Sequence, residues 1–172
     1  MSTVGKQKAS SKRSTVGRGF RIAVVVSRFH RSITDRLRQG ALRCLGQQGV
    51  RREDVEVFSC PGAFELPQVA NLLCGSGNFD AVVCLGAVVR GETPHFEYIS
   101  SEVARGIQEI ALRYALPVTF GVLTTDNLEQ ALERAGGTQG NKGWDAARAA
   151  LDMAVLFHKL KRRSARMPVH EG

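Results

Sequence analysis

The 172 residues predict an α/β fold, a doubly wound parallel sheet of four strands with helices on both faces. Two observations carry this. Four apolar runs are continuous rather than alternating, which is the pattern of strands covered on both sides. Between them lie segments whose apolar residues recur every three or four positions, the pattern of helices with one buried stripe. Strand alternating with helix implies parallel strands joined by right-handed crossovers.

The elements follow in order. "RIAVVVS" at 21–27 is the first strand, and Ile33, Leu37, Ala41 and Leu45 then mark a helix that Gly49 can stop. "VEVFSC" at 55–60 is the second strand, with a shorter helix from Phe64 to Leu73. "DAVVCLGAVV" at 80–89 is the third, and the stripe Val103, Ile107, Ile110, Ala111 and Tyr114 ends before Pro117. "PVTFGVLT" at 117–124 is the fourth. "DNLE" from Asp126 reads as an N-cap with Glu129 three residues on, a capping box. Ala147, Leu151, Ala154 and Val155 mark the last helix.

The chain fits one domain over residues 20–157, between a basic arm at 1–19 and a basic tail at 158–172. The arm carries +5 and the tail +4 of a net charge of +8, which leaves the central segment at −1. That near-neutrality argues against a nucleic-acid partner except through the tails, which are either solubilising disorder or polyanion-binding arms. The arm has no apolar core or helical stripe of the kind targeting sequences carry, and reads as disordered. No apolar run approaches the ~20 residues of a membrane span, so a soluble, cytoplasmic protein without membrane attachment is expected. Cys44, Cys60, Cys74 and Cys84 are well separated in apolar surroundings and read as inert thiols. The spacing of His30, His95, His158 and His170 suggests no metal site.

In doubly wound sheets ligands collect beyond the carboxyl ends of the strands. Four loops therefore matter. "GAVVRGETPHFEY" at 86–98 is neither a Walker loop nor a dinucleotide-binding turn. His95-Phe96-Glu97 matches the His-x-Glu of zinc deaminases, but no Pro-Cys-x-x-Cys follows. Thr93 suits an N-cap and Pro94 a first helical position, which puts His95 in a first turn whose free N–H groups, near Glu92 and Thr93, can hold a phosphate. His95 is then either a proton donor beside an anion or a plain surface residue. Phe29 in "SRFH" either stacks on a flat heterocycle or packs in the core. Glu65 in "CPGAFELP" either holds hydroxyls or complements its own helix dipole. Arg134 and Lys142, around the glycine-rich "ERAGGTQGNKG", are available for a phosphate, or are solvated charges.

From "SRF" through "PGAFELP", "LGAVVRGETPHFEY", "PVTFGVLTTDNLEQALERAGG" and "GNKGWDAA", in order and at matching spacing, the sequence resembles the 6,7-dimethyl-8-ribityllumazine synthases. The resemblance implies a flavodoxin-like, three-layer αβα domain. It implies an enzyme of riboflavin biosynthesis that joins 5-amino-6-(D-ribitylamino)uracil to 3,4-dihydroxy-2-butanone 4-phosphate, without cofactor or metal. Matched motif by motif, it assigns Phe29, Ala63, Phe64, Glu65, Ala87, Val88, Val89 and Phe120 to the ribityl-pyrimidine. Glu92, Thr93 and Arg134 go to the phosphate, Lys142 is a further candidate, and His95 is the proton donor. It also implies sites shared between subunits of a pentamer, a 60-subunit shell on account of the short glycine-rich link, and riboflavin synthase as a candidate partner. His30 stands where many relatives have asparagine. A flavin- or lumazine-binding module without catalysis is the alternative.

Overall fold

The computed structural model describes residues 15–165. Most of the expected arm (1–14) and the end of the expected tail (166–172, with Arg166 and His170) lie outside the described residues.

Four strands, β1 (Ile22–Ser27), β2 (Val55–Cys60), β3 (Ala81–Val89) and β4 (Val118–Thr125), form one parallel sheet in the order β2-β1-β3-β4. Five helices cover it: α1 (Arg31–Gln47), α2 (Leu66–Gly75), α3 (His95–Tyr114), α4 (Leu128–Arg134) and α5 (Lys142–Ser164). The result is the three-layer, flavodoxin-like sandwich. β1 is buried along its whole length, and its alternation explains the layers. Ile22, Val24 and Val26 pack with Ile33 and Leu37 of α1 and with Ala147 and Leu151 of α5. Ala23 and Val25 pack on the other face with Leu66 and Ala70 of α2 and Val103 and Ile107 of α3.

Gly49 stops α1 as expected. It follows the C-cap Gln48 at φ 92°, and the Val50 N–H reaches back to Leu45 O at 3.0 Å, a Schellman end that tolerates the left-handed residue best as glycine. Other ends differ from the sequence reading. The shorter helix begins at Leu66 rather than Phe64, because Ala63–Glu65 wind as a 3-10 turn and Pro67 suits the first α-helical turn that follows. Pro94, rather than Thr93, stands at the N-cap of α3, so His95 is its first residue, and no side chain caps it. Asn127, rather than Asp126, caps α4, its side chain accepting from the Gln130 N–H at 2.9 Å. The Gln130 side chain in turn accepts from the Asp126 N–H at 3.0 Å, one residue before the N-cap, so the start of α4 is bonded in both directions without the closed capping box predicted at 126–129. The glycine-rich link folds as a hairpin of β5 (Ala135–Gly137) and β6 (Gly140–Asn141). At the other end, α5 runs through residue 158 to Ser164.

The chain steps from β1 out to β2 and then back to β3 on the opposite side of β1. The carboxyl ends of β1 and β3 therefore flank the switch point where such sheets bind ligands.

Candidate active site

A cavity of about 220 Å³ opens at that switch point, walled by Phe29, His30, Ala63, Phe64, Ala87–Val89, His95 and Ile99. Backbone pairing assembles its rim. The Arg28 and Phe29 N–H groups donate to Cys60 O and Pro61 O at 2.9 and 3.1 Å, carrying the β1–β2 ladder into the loops and setting Phe29 beside the 61–65 turn. Phe29 is 69% exposed and Phe64 49%, so neither is the core phenylalanine that pattern alone allowed for Phe29.

The wall contributed by β3 has a particular chemistry. β1 pairs with β3 only as far as Val26 and Leu85, whereas β4 stays paired with β3 to Val89. From Gly86 to Val89 the strand therefore has a β4 neighbour on one side and no β1 neighbour on the other. Backbone donors and acceptors on that open side can meet a planar ligand edge. Ala87 is buried beneath them, while Val88 and Val89 are half-buried.

The polar candidates are placed differently from one another. His95 borders the cavity at the start of α3 and is exposed, as are Glu92 and Thr93 in the loop before it. Glu65 is engaged with its own turn: one carboxylate oxygen accepts from the Gly62 N–H at 2.8 Å. Phe120, Arg134 and Lys142 lie elsewhere, in a second concavity of about 710 Å³ between α3, β4 and α5 that shares no lining residue with the first. There Arg134 donates one guanidinium N–H to Gln130 O at 3.2 Å, and Lys142 pairs with Asp145 at 2.8 Å. The chain thus brings His95 together with Phe29, Ala63, Phe64 and Ala87–Val89, and keeps Phe120, Arg134 and Lys142 apart from them. Among the described residues no group of three His, Cys, Asp or Glu side chains could hold a metal ion.

Two residues escaped the sequence reading. Asn141 accepts from the Trp144 N–H at 3.0 Å, capping α5, and donates to Arg36 O at 2.9 Å and Ala135 O at 3.2 Å, which fixes the neighbouring Lys142. Its place at the head of a helical stripe was the available signal. Arg90 bonds to Asp126 and Glu97, which gave no local signal because Asp126 is 36 residues away.

Residues 19–158 match the family model described as 6,7-dimethyl-8-ribityllumazine synthase, a span that holds both cavities and every candidate residue. The chain belongs to the 6,7-dimethyl-8-ribityllumazine synthase family. It is 51% identical over 145 residues to the 6,7-dimethyl-8-ribityllumazine synthase of Syntrophus aciditrophicus (strain SB), which covers 84% of this chain and 94% of that one. Membership in the lumazine synthase family makes it an enzyme of the transferase class. No helix among the described residues is long and apolar enough to cross a membrane.

Proposed function

We propose that the chain condenses 5-amino-6-(D-ribitylamino)uracil with 3,4-dihydroxy-2-butanone 4-phosphate to 6,7-dimethyl-8-ribityllumazine, phosphate and water. The observation that carries this assignment to the first cavity is the open backbone edge of Gly86–Val89, facing a mouth edged by an exposed Phe29. A pyrimidinedione offers alternating carbonyl and N–H groups in one plane. That edge and that ring complement it, the edge by hydrogen bonds and Phe29 by stacking. Ala63, Phe64 and Glu65 hold the ribityl chain, Glu65 through the oxygen not spent on Gly62.

The phosphate of the second substrate sits by Glu92 and Thr93, at the N-terminal end of α3, where free N–H groups and the helix dipole favour an anion. The pyrimidine's primary exocyclic amine attacks the ketone and expels water to give an imine. Phosphate elimination and enol-to-ketone rearrangement follow, and the ribityl-bearing amine closes the ring onto the new carbonyl with loss of a second water. No side chain acts as nucleophile. The protein contributes mainly by holding two substrates in register, which makes the step effectively intramolecular. His95 supplies the proton to the departing or developing anion.

Phe120 and the cationic Arg134 and Lys142 complete the site from a neighbouring subunit, closing the pyrimidine pocket and clamping the phosphate. A pentamer is the smallest unit with complete sites. It assembles further to a 60-subunit shell in the cytoplasm, with riboflavin synthase as the enzyme positioned to take the product. The folded domain of residues 20–157 continues along α5 to Ser164, and the basic arm and the remaining tail either solubilise the assembly or bind polyanions.

The decisive experiment supplies both substrates to the size-resolved oligomer and follows lumazine absorbance. Turnover in the pentamer or larger fraction is expected. Retention of added lumazine with no turnover in any fraction would replace the enzyme reading with that of a binding module. His95→Ala is expected to lower kcat by about 10²-fold or more, with KM and assembly little changed. Undiminished turnover would remove His95 from the chemistry.

A further inference from the structure

Arg90 is the first residue after β3, and it touches three elements. Its backbone N–H donates to Thr125 O at 2.9 Å, extending the β3–β4 ladder. Its Nε donates to Asp126 Oδ1 at 2.9 Å, in the loop between β4 and α4. Its Nη1 donates to Glu97 Oε1 in the first turn of α3, and its guanidinium carbon lies 4.3 Å from the centroid of the Phe96 ring. Only a flat, forked cation can bond two carboxylates in its plane while laying a face on an aromatic ring.

The segment that follows is held by little else. Gly91, Glu92, Thr93 and Pro94 are exposed, and a Cβ built on Gly91 would meet nothing within 4 Å. No side chain caps α3, and that helix joins the core only from Ile99 onward. His95 stands between this loop and the two residues that Arg90 grips. The ion pairs are themselves well solvated, and pairs of that kind add little to global stability. Their effect is therefore on local geometry.

Resting on the reading of His95 as proton donor, we infer that Arg90 is a positioning residue: it clamps Phe96 and Glu97 to the end of β4 through Asp126, and so fixes where the His95 imidazole stands relative to the open edge of β3. Misplacing a reacting group by about 1 Å can cost on the order of 10²-fold in rate, so such a clamp has consequences for turnover.

The test is steady-state kinetics of the full-length, assembled protein with both substrates. Arg90→Gln is expected to lower kcat by about tenfold or more while each KM moves by less than about threefold. In a His95→Ala background the same substitution is expected to change nothing further, because no imidazole remains to be aimed. Arg90→Lys restores part of kcat, since it keeps the charge and loses the fork. Asp126→Asn, expected to give an intermediate loss, decides the matter should Arg90→Gln fail to assemble. Wild-type kcat in both single variants overturns the role. So does a loss of equal size with and without His95, which leaves the His95 reading intact. Full turnover in His95→Ala alone sinks that reading and the positioning role with it.

Discussion

His30 leaves β1 at φ 56°, in the left-handed region, and serves as the N-cap of α1 with its ring edge-on to Phe29 at 5.4 Å. Asparagine adopts the same backbone at low cost, so histidine here keeps the turn and adds a ring to the cavity wall. The four cysteines are all buried. Burial pushes the thiols of Cys44, Cys60 and Cys74 up to about 11, and that of the fully enclosed Cys84 higher still. A thiol reagent at neutral pH is expected to spare the native protein and to titrate all four in denaturant; rapid native modification would contradict this. The pH dependence follows from the same shifts. The folded values lie above the ordinary thiol value of 9.0, so the neutral thiols support the fold fully below that value. The support is lost as pH rises toward about 11. Urea midpoints should therefore be lower at about pH 10.5 than at about pH 8.

At the scale of elements, the ends of helices carry the strain and the close contacts. Ala115 closes α3 at φ 44° and is exposed, a conformation that costs a residue with a Cβ about 1–2 kcal/mol. Ala115→Gly relieves that strain but loosens the unfolded chain, leaving an expected net gain of about 0.5–1 kcal/mol and a higher Tm. An unchanged or lower Tm would place the strain elsewhere. At the start of α5, Gly143 lies against α1 so closely that an added Cβ would overlap the Leu37 carbonyl. Gly143→Ala is expected to cost about 3 kcal/mol or more in urea unfolding, because two backbones must separate. The strands and long helices were legible in the sequence because burial on both faces leaves β1 continuously apolar, and burial on one leaves α1 and α3 striped. The hairpin of β5 and β6 was not, since Ala-Gly-Gly and Gly-Asn have no apolar periodicity to read. Helix starts were legible to within a residue or two: the cap chemistry was visible at Thr93-Pro94 and Asp126-Asn127, but neighbouring polar residues compete for the same position. In the site, loop placement followed from strand order. Arg90 did not, because an ion pair between loops 36 residues apart leaves no pattern along the chain.

At the scale of the whole molecule, no further strand among the described residues lies beyond β4. β4 is an eight-residue edge strand, Phe120 on it is 41% exposed, and the larger cavity runs beside it between α3 and α5. A long open edge of this kind invites another chain. If a neighbour's first cavity meets this edge, each polypeptide lends one half to each of two different sites. Defects in opposite halves then need not be carried by the same site. His95→Ala and Arg134→Ala chains, each impaired alone, are expected to regain activity when co-assembled. In a random equal mixture roughly a quarter of the sites draw both halves from unaltered positions, since a head-to-tail ring takes each half independently. Activity no greater than the sum of the two parents would mean that every site is built from one chain. The gap between two cavities on a single polypeptide thus becomes a genetic property: two different loss-of-function alleles of one gene could support each other in the same cell.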